Sequence, residues 1–168
     1  MRRILALLTA VVLVAALGGG TAAIALSKSS SPTVKTRSTS LGTVLVDAKG
    51  RTLYLFEKDK TTKSRCSGAC ATNWPPLLTK SKPKAGGSAK SSKLGTTKRG
   101  DGTTQVTYAG HPLYRFIADN NKPGSTKGEG INAFGAEWYV VGTNGKKIEK
   151  GHSSEKSPSG YSKSPSGY

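Results

Sequence analysis

Hydrophobic and polar positions alternate in two ten-residue phrases, GRTLYLFEKD at residues 50–59 and GHPLYRFIAD at residues 110–119, with Gly, Leu, Tyr, Phe and Asp in matching places. A side-chain period of two is that of a strand. Tyr54 and Phe56 then share one face, as do Tyr114 and Phe116, while Leu53 and Leu55, or Leu113 and Arg115, share the other. Only the Tyr/Phe face is apolar in both copies. It is expected to look into a shared core, with the second face partly wet where Arg115 sits. Asp59 and Asp119 fall three residues past the Phe, where a strand ends and an aspartate accepts the backbone N–H groups of a turn. A long loop and then a tryptophan, Trp74 or Trp138, follow each phrase, so the pattern reads as a duplicated supersecondary unit.

The pattern around the phrases is also that of short strands. Residues 41–47 and 51–56 form a predicted hairpin that turns at Asp47, Ala48, Lys49 and Gly50. Residues 57–73 are a loop carrying Cys66 and Cys70. In the stretch from Trp74 to Leu78 two prolines donate nothing to a ladder, so it is expected as an edge or extended packing segment anchored by Trp74. Residues 94–98, 103–108 and 111–116 predict a three-stranded meander. A Gly-rich loop over 120–136 leads to strands at 137–141 and 146–149 around an Asn144–Gly145 turn. No segment of the body carries a helical period. The fold class expected is therefore all-β: a small sandwich or barrel over residues 41–150, built from two hairpin-containing halves, 41–79 and 94–149, with a linker at 80–93.

Both ends depart from this pattern. After Met1, Arg2 and Arg3 no charge occurs until Lys28, and the apolar run predicts an export signal or signal-anchor helix over residues 1–26. Ala23, Ile24 and Ala25 offer a small-x-small cleavage site. Uncut, residues 4–26 would anchor the chain in a membrane with its two arginines cytoplasmic. Residues 27–40 read as a flexible Ser/Thr/Lys spacer. Residues 151–168 read as a disordered tail with a tandem KSPSGY at 156–161 and 163–168. Either way the body works outside the cytoplasm.

Charge narrows the partners: 26 Lys and Arg stand against 9 Asp and Glu, for a net charge of +17, and residues 80–99 contain no acid. Outside the membrane the polyanions on offer are wall polymers and lipid headgroups, so screened, salt-sensitive retention at the envelope is the expected partnership. Nucleic acid is not, because export removes it and the lysines are not interleaved with exposed aromatics.

Two cysteines in an exported chain predict a structural disulfide, Cys66–Cys70. The alternative is a redox or metal-binding pair, copper- or haem-related, using Cys66 and Cys70 with His111. The only Met is the initiator, and Cys-x-x-Cys-His is absent. His111, between Gly110 and Pro112, reads as a turn-flanking residue rather than a catalytic base, and Asp59 and Asp119 as products of duplication rather than a glycosidase pair. Arg99, Gly100 and Asp101 spell an adhesion tripeptide but also ordinary turn chemistry. No catalytic residue, metal site or cofactor is assigned.

At these residues the chain resembles the bacterial secreted-repeat family, predicted lipoproteins with a Tyr-x-(Phe/Trp/Tyr)-x-x-Asp motif. The motif is carried by Tyr54, Phe56 and Asp59 and again by Tyr114, Phe116 and Asp119. Leu45, Val46, Asp47, Gly50, Cys66, Cys70, Asn73, Trp74, Pro75 and Pro76 also fit, and the similarity runs over about residues 41–141. The resemblance implies an envelope address without an established activity. No cysteine precedes Cys66, so the chain departs from the acylated cysteine of a lipoprotein. The expectation is an exported, non-enzymatic interaction or structural module at the cell surface, secreted or held on the outer face of the cytoplasmic membrane.

Overall fold

The computed structural model describes residues 33–149. The expected signal or anchor, residues 27–32 of the spacer and the tail at 151–168 lie outside them. Among the described residues no helix is long and apolar enough to cross a membrane.

Among the described residues nine strands follow in order: β1 Thr33–Thr39, β2 Gly42–Val46, β3 Tyr54–Phe56, β4 Lys84–Ala85, β5 Leu94–Lys98, β6 Thr104–Tyr108, β7 His111–Pro112, β8 Ile131–Ala133 and β9 Ala136–Val140. One helical turn, α1 Ala69–Asn73, lies between β3 and β4. The strands form three small sheets, ordered β2-β1-β4, β3-β9-β8 and β5-β6-β7, and none closes into a barrel. The fold is all-β, and single bridges such as Val44 to Gly142 and Tyr54 to Tyr114 tie a strand of one sheet to the segment that follows a strand of another.

The hairpin after β2 turns where the polar residues interrupt the pattern. Asp47 Oδ1 accepts the backbone N–H groups of Lys49 (2.9 Å) and Arg51 (3.0 Å), and Gly50 takes the left-handed φ of 81° that the turn needs. The matching Gly110, φ 88°, follows Ala109 at φ 50° in the two-residue turn between β6 and β7, which is why glycine opens both phrases. The meander of β5, β6 and β7 forms as the alternation predicts, although its third strand ends at Pro112. The next residues leave that sheet: Tyr54 and Tyr114 exchange both backbone hydrogen bonds, 2.9 and 3.0 Å, so the two phrases cross antiparallel at their tyrosines.

Two expectations need correction, and a third holds at the residue it named. The spacer expected at 27–40 ends in a strand: β1 pairs antiparallel with β2 from Lys35–Val46 to Thr39–Gly42, and Val34 is fully buried. Its Thr-rich composition hides a strand whose stability comes from its ladder and one apolar anchor. The linker at 80–93 contributes β4, which pairs parallel with β1 through Lys84 and Ala85. The second face of β3 is dry, with Leu53 and Leu55 buried alongside Leu113 in a second core with Val34, Leu45, Leu77, Val106, Tyr108 and Val141. Strands covered on both faces carry apolar residues at successive positions. The one partly wet position of that face is Arg115, as expected, and it is half-buried.

Candidate functional site

The motif residues meet around the Tyr54–Tyr114 crossing. Trp74 and Trp138 stack on each other, centroids 4.0 Å apart with 4° between planes. Phe56 stacks on the outer face of Trp138 at 4.0 Å, and Phe116 on Trp74 at 4.1 Å. Tyr54 meets Trp74 edge-on and Tyr114 meets Trp138 edge-on. Each phenylalanine thus stacks on the tryptophan of the other repeat. All these rings are buried except Phe116, which is partly so. The two tryptophans have both faces filled by other rings, and of these rings Phe116 alone keeps part of its surface in solvent. Gly128 is required beside them, because a Cβ there would lie 2.8 Å from both the Trp74 and Tyr54 rings.

The aspartates are exchanged in the same way. The Tyr54 hydroxyl donates to Asp119 Oδ2 at 2.7 Å, and the Tyr114 hydroxyl donates to Asp59 Oδ2 at 2.6 Å. Both carboxylates are nearly fully buried, so each phenol supplies a charge-assisted bond to a group that would otherwise be costly to bury. Burial, reinforced by the neighbouring carboxylate, pushes both phenols far above the ordinary tyrosine value. Burial also raises Asp59, against the hydrogen bonds from Tyr114 and Arg65 and the Arg99 charge. The turn-capping expected of the aspartates is half of their role: Asp59 Oδ1 accepts the Arg65 N–H (2.6 Å) and Asp119 Oδ1 that of Lys127 (3.1 Å).

Around these pairs lie residues without a sequence signature. Ser64 Oγ is 2.7 Å from the Tyr114 hydroxyl. Arg99 donates to Ser64 Oγ (2.8 Å), Gln105 Oε1 (2.6 Å) and the Cys66 carbonyl (2.7 Å). Its guanidinium is therefore turned inward and unavailable to an adhesion receptor, while Asp101 closes the turn through Thr103. Ser125 Oγ donates to Asp119 at 2.7 Å. Spacing could not reveal Arg99, because it is the first residue of a Gly-Asp-Gly turn and such positions are usually wet.

Cys66 and Cys70 are paired at disulfide distance, with Cα atoms 5.2 Å apart. Cys66 precedes α1 and Cys70 lies within it, so the pair ties the helical turn to the loop before it, and the Trp74 N–H donates to the Cys70 carbonyl (2.8 Å) where the turn ends at the stack. His111 is half-exposed at the start of β7. Among the described residues no three His, Cys, Asp or Glu side chains are grouped to hold a metal ion, so His111 does not join the cysteines as a ligand set.

The accessible feature lies elsewhere. A groove of about 900 Å³ is lined by β4 and β5, each the terminal strand of its sheet, with Lys80, Lys82 and Lys84 on it and no acidic residue. Among the described residues none of these lysines forms an ion pair. Such a basic concavity concentrates anions.

Residues 35–78 and 95–142 match the family described as a secreted repeat of unknown function. No curated protein and no solved structure matches the chain. Each matched stretch holds one phrase and the tryptophan that follows it, the two cover more than half of the sequence, and their tyrosines and aspartates interlock in pairs: the chain belongs to the secreted-repeat family and carries two copies of its unit.

Proposed function

We propose that this is an exported, non-enzymatic module of the cell envelope, retained there by contacts between its lysines and extracytoplasmic polyanions, either wall polymers or anionic lipid headgroups. The observation that carries the reading is the groove of Lys80, Lys82 and Lys84, basic and free of acids. Membership of a secreted family supports the address. The burial of the motif side chains supports a structural use of the motif, since no buried Tyr–Asp pair is open to a substrate. The reading of Cys66, Cys70 and His111 as a redox or metal site has less behind it, because the cysteines are paired and buried and His111 stands apart from them.

Binding of the full exported chain to purified envelopes and to vesicles of anionic lipid, measured across a salt series, tests the proposal. Binding is expected to fall steeply with salt, and to fall several-fold when Lys80, Lys82 and Lys84 are all changed to Gln. Retention unaffected by salt and by that triple variant overturns it.

A further inference from the structure

Arg115 breaks the likeness of the two repeats. The matching residue, Leu55, is 2% exposed in the second core, so the repeat does not need a cation at this place. Arg115 instead reaches a recess of about 260 Å³ lined by Asp47, Ala48, Lys49, Arg51, Leu77 and Leu78. Three cations there face one carboxylate. Asp47 is already engaged: Oδ1 accepts from the Lys49 and Arg51 backbone N–H groups, Oδ2 accepts from Arg51 Nε (2.7 Å), and Arg51 Nη2 pairs with Oδ2 at 2.6 Å as an ion pair. That carboxylate is taken up by its own turn and by Arg51, and among the described residues it forms no hydrogen bond or ion pair with Arg115. The Arg115 guanidinium makes one long bond, Nη2 to the Pro76 carbonyl at 3.3 Å, and its buried Nε has no partner among the described residues. Burial and the Arg51 charge weaken its hold on its proton, against the smaller pull of the Asp47 charge. The fork of an arginine matches a planar carboxylate through two parallel bonds. Beside it Leu78 is 42% exposed and Leu77 is buried, an apolar surface next to an unsatisfied cation.

We propose that this recess is a binding site for an organic carboxylate carrying an apolar group, such as the terminal carboxylate of a peptide, held by Arg115 with its apolar part on Leu77 and Leu78. It is separate from the lysine groove and independent of the envelope reading.

Titration of the 15N-labelled full chain, followed by NMR at fixed ionic strength, tests it with three probes: N-acetyl-leucine, its neutral amide and inorganic phosphate. The carboxylate is expected to shift an arginine Nε–H resonance and the amides of residues 47–51 and 77–78 saturably, while the amide does not and phosphate binds more weakly. Arg115→Leu, which installs the residue of the other repeat, is expected to bind about tenfold or more weakly. Arg115→Lys keeps the charge without the fork and is expected to weaken binding similarly; it carries the comparison if the leucine variant does not fold. Absence of saturation, an equal response to the amide, or wild-type affinity in the variants overturns the site. Phosphate binding as tightly as the carboxylate overturns its assignment to carboxylates.

Discussion

The two Tyr–Asp pairs are equal at their centres and unlike at their edges. Asp59 and Tyr114 are backed by side chains from distant parts of the chain: Ser64 from the cysteine loop, and Arg99 and Gln105 from the meander. Asp119 and Tyr54 are backed by one local loop, through Ser125 Oγ, the Lys127 N–H and the Gly128 N–H at 3.3 Å from the Tyr54 hydroxyl. The rings and carboxylates that define the repeat recur in both copies, and each belongs to the packing of both. The supporting groups differ: Ser64 and Arg99 bridge the copies at one pair, while the loop over residues 125–128 serves the other. One pair therefore depends on long-range order and a buried cation, the other on the conformation of a glycine-containing loop.

The centre should be the costliest place to perturb. Trp74→Ala and Trp138→Ala each remove a ring from the middle of the stack, and each is expected to lower stability by about 3–5 kcal/mol in denaturant unfolding. A large inequality between them would show that the halves contribute unequally to the core. Next, Arg99→Met strands Gln105 Oε1 and the Cys66 carbonyl, at a cost of roughly 2–3 kcal/mol. The other pair has no counterpart to lose, so hydrogen exchange should rise around Asp59 and not around Asp119.

The phenols sharpen the comparison further. Tyr114→Phe and Tyr54→Phe each remove a bond to a buried carboxylate, about 1.5–3 kcal/mol. Tyr114→Phe is expected to cost more, because Asp59 keeps the Arg65 N–H alone while Asp119 keeps Ser125 and Lys127. Equal losses would mean that Ser64 and Arg99 compensate. Both phenols titrate far above the ordinary value of 10.0. Their stabilisation is therefore complete below pH 10 and is lost as pH rises further, since the unfolded chain releases protons that the native chain retains. Alkaline titration followed by phenolate absorbance should show two tyrosines ionising only with unfolding.

The smallest effect is expected from Asp59 itself. Its folded value is raised from 3.8, so its contribution is fully present below that pH and is lost as pH rises through the folded value. Asp59→Asn should flatten that slope of stability against pH. An unchanged slope would assign it to other groups.

The duplication, the hairpin at Gly50, the meander and the apolar Tyr/Phe faces are legible in the sequence, because local alternation and turn chemistry encode them. β1 and β4 are not. Thr33–Thr39 and Lys84–Ala85 contain little to bury, and they become strands only by pairing with each other and with β2. The burial of Arg99 was equally hidden, since a turn-forming Arg-Gly-Asp reads as solvent-facing until the cysteine loop is folded over it.

What the sequence alone determined is that two like units exist, with rings on one side of each and acids at their ends. Whether each unit closes on itself or on its twin leaves no trace in a duplicated sequence, because identical motifs satisfy either arrangement. Only the tertiary structure decides that Tyr54 bonds Asp119 and Tyr114 bonds Asp59. The antiparallel crossing at the tyrosines sets each phenol toward the far carboxylate, and burial makes that exchange costly to break.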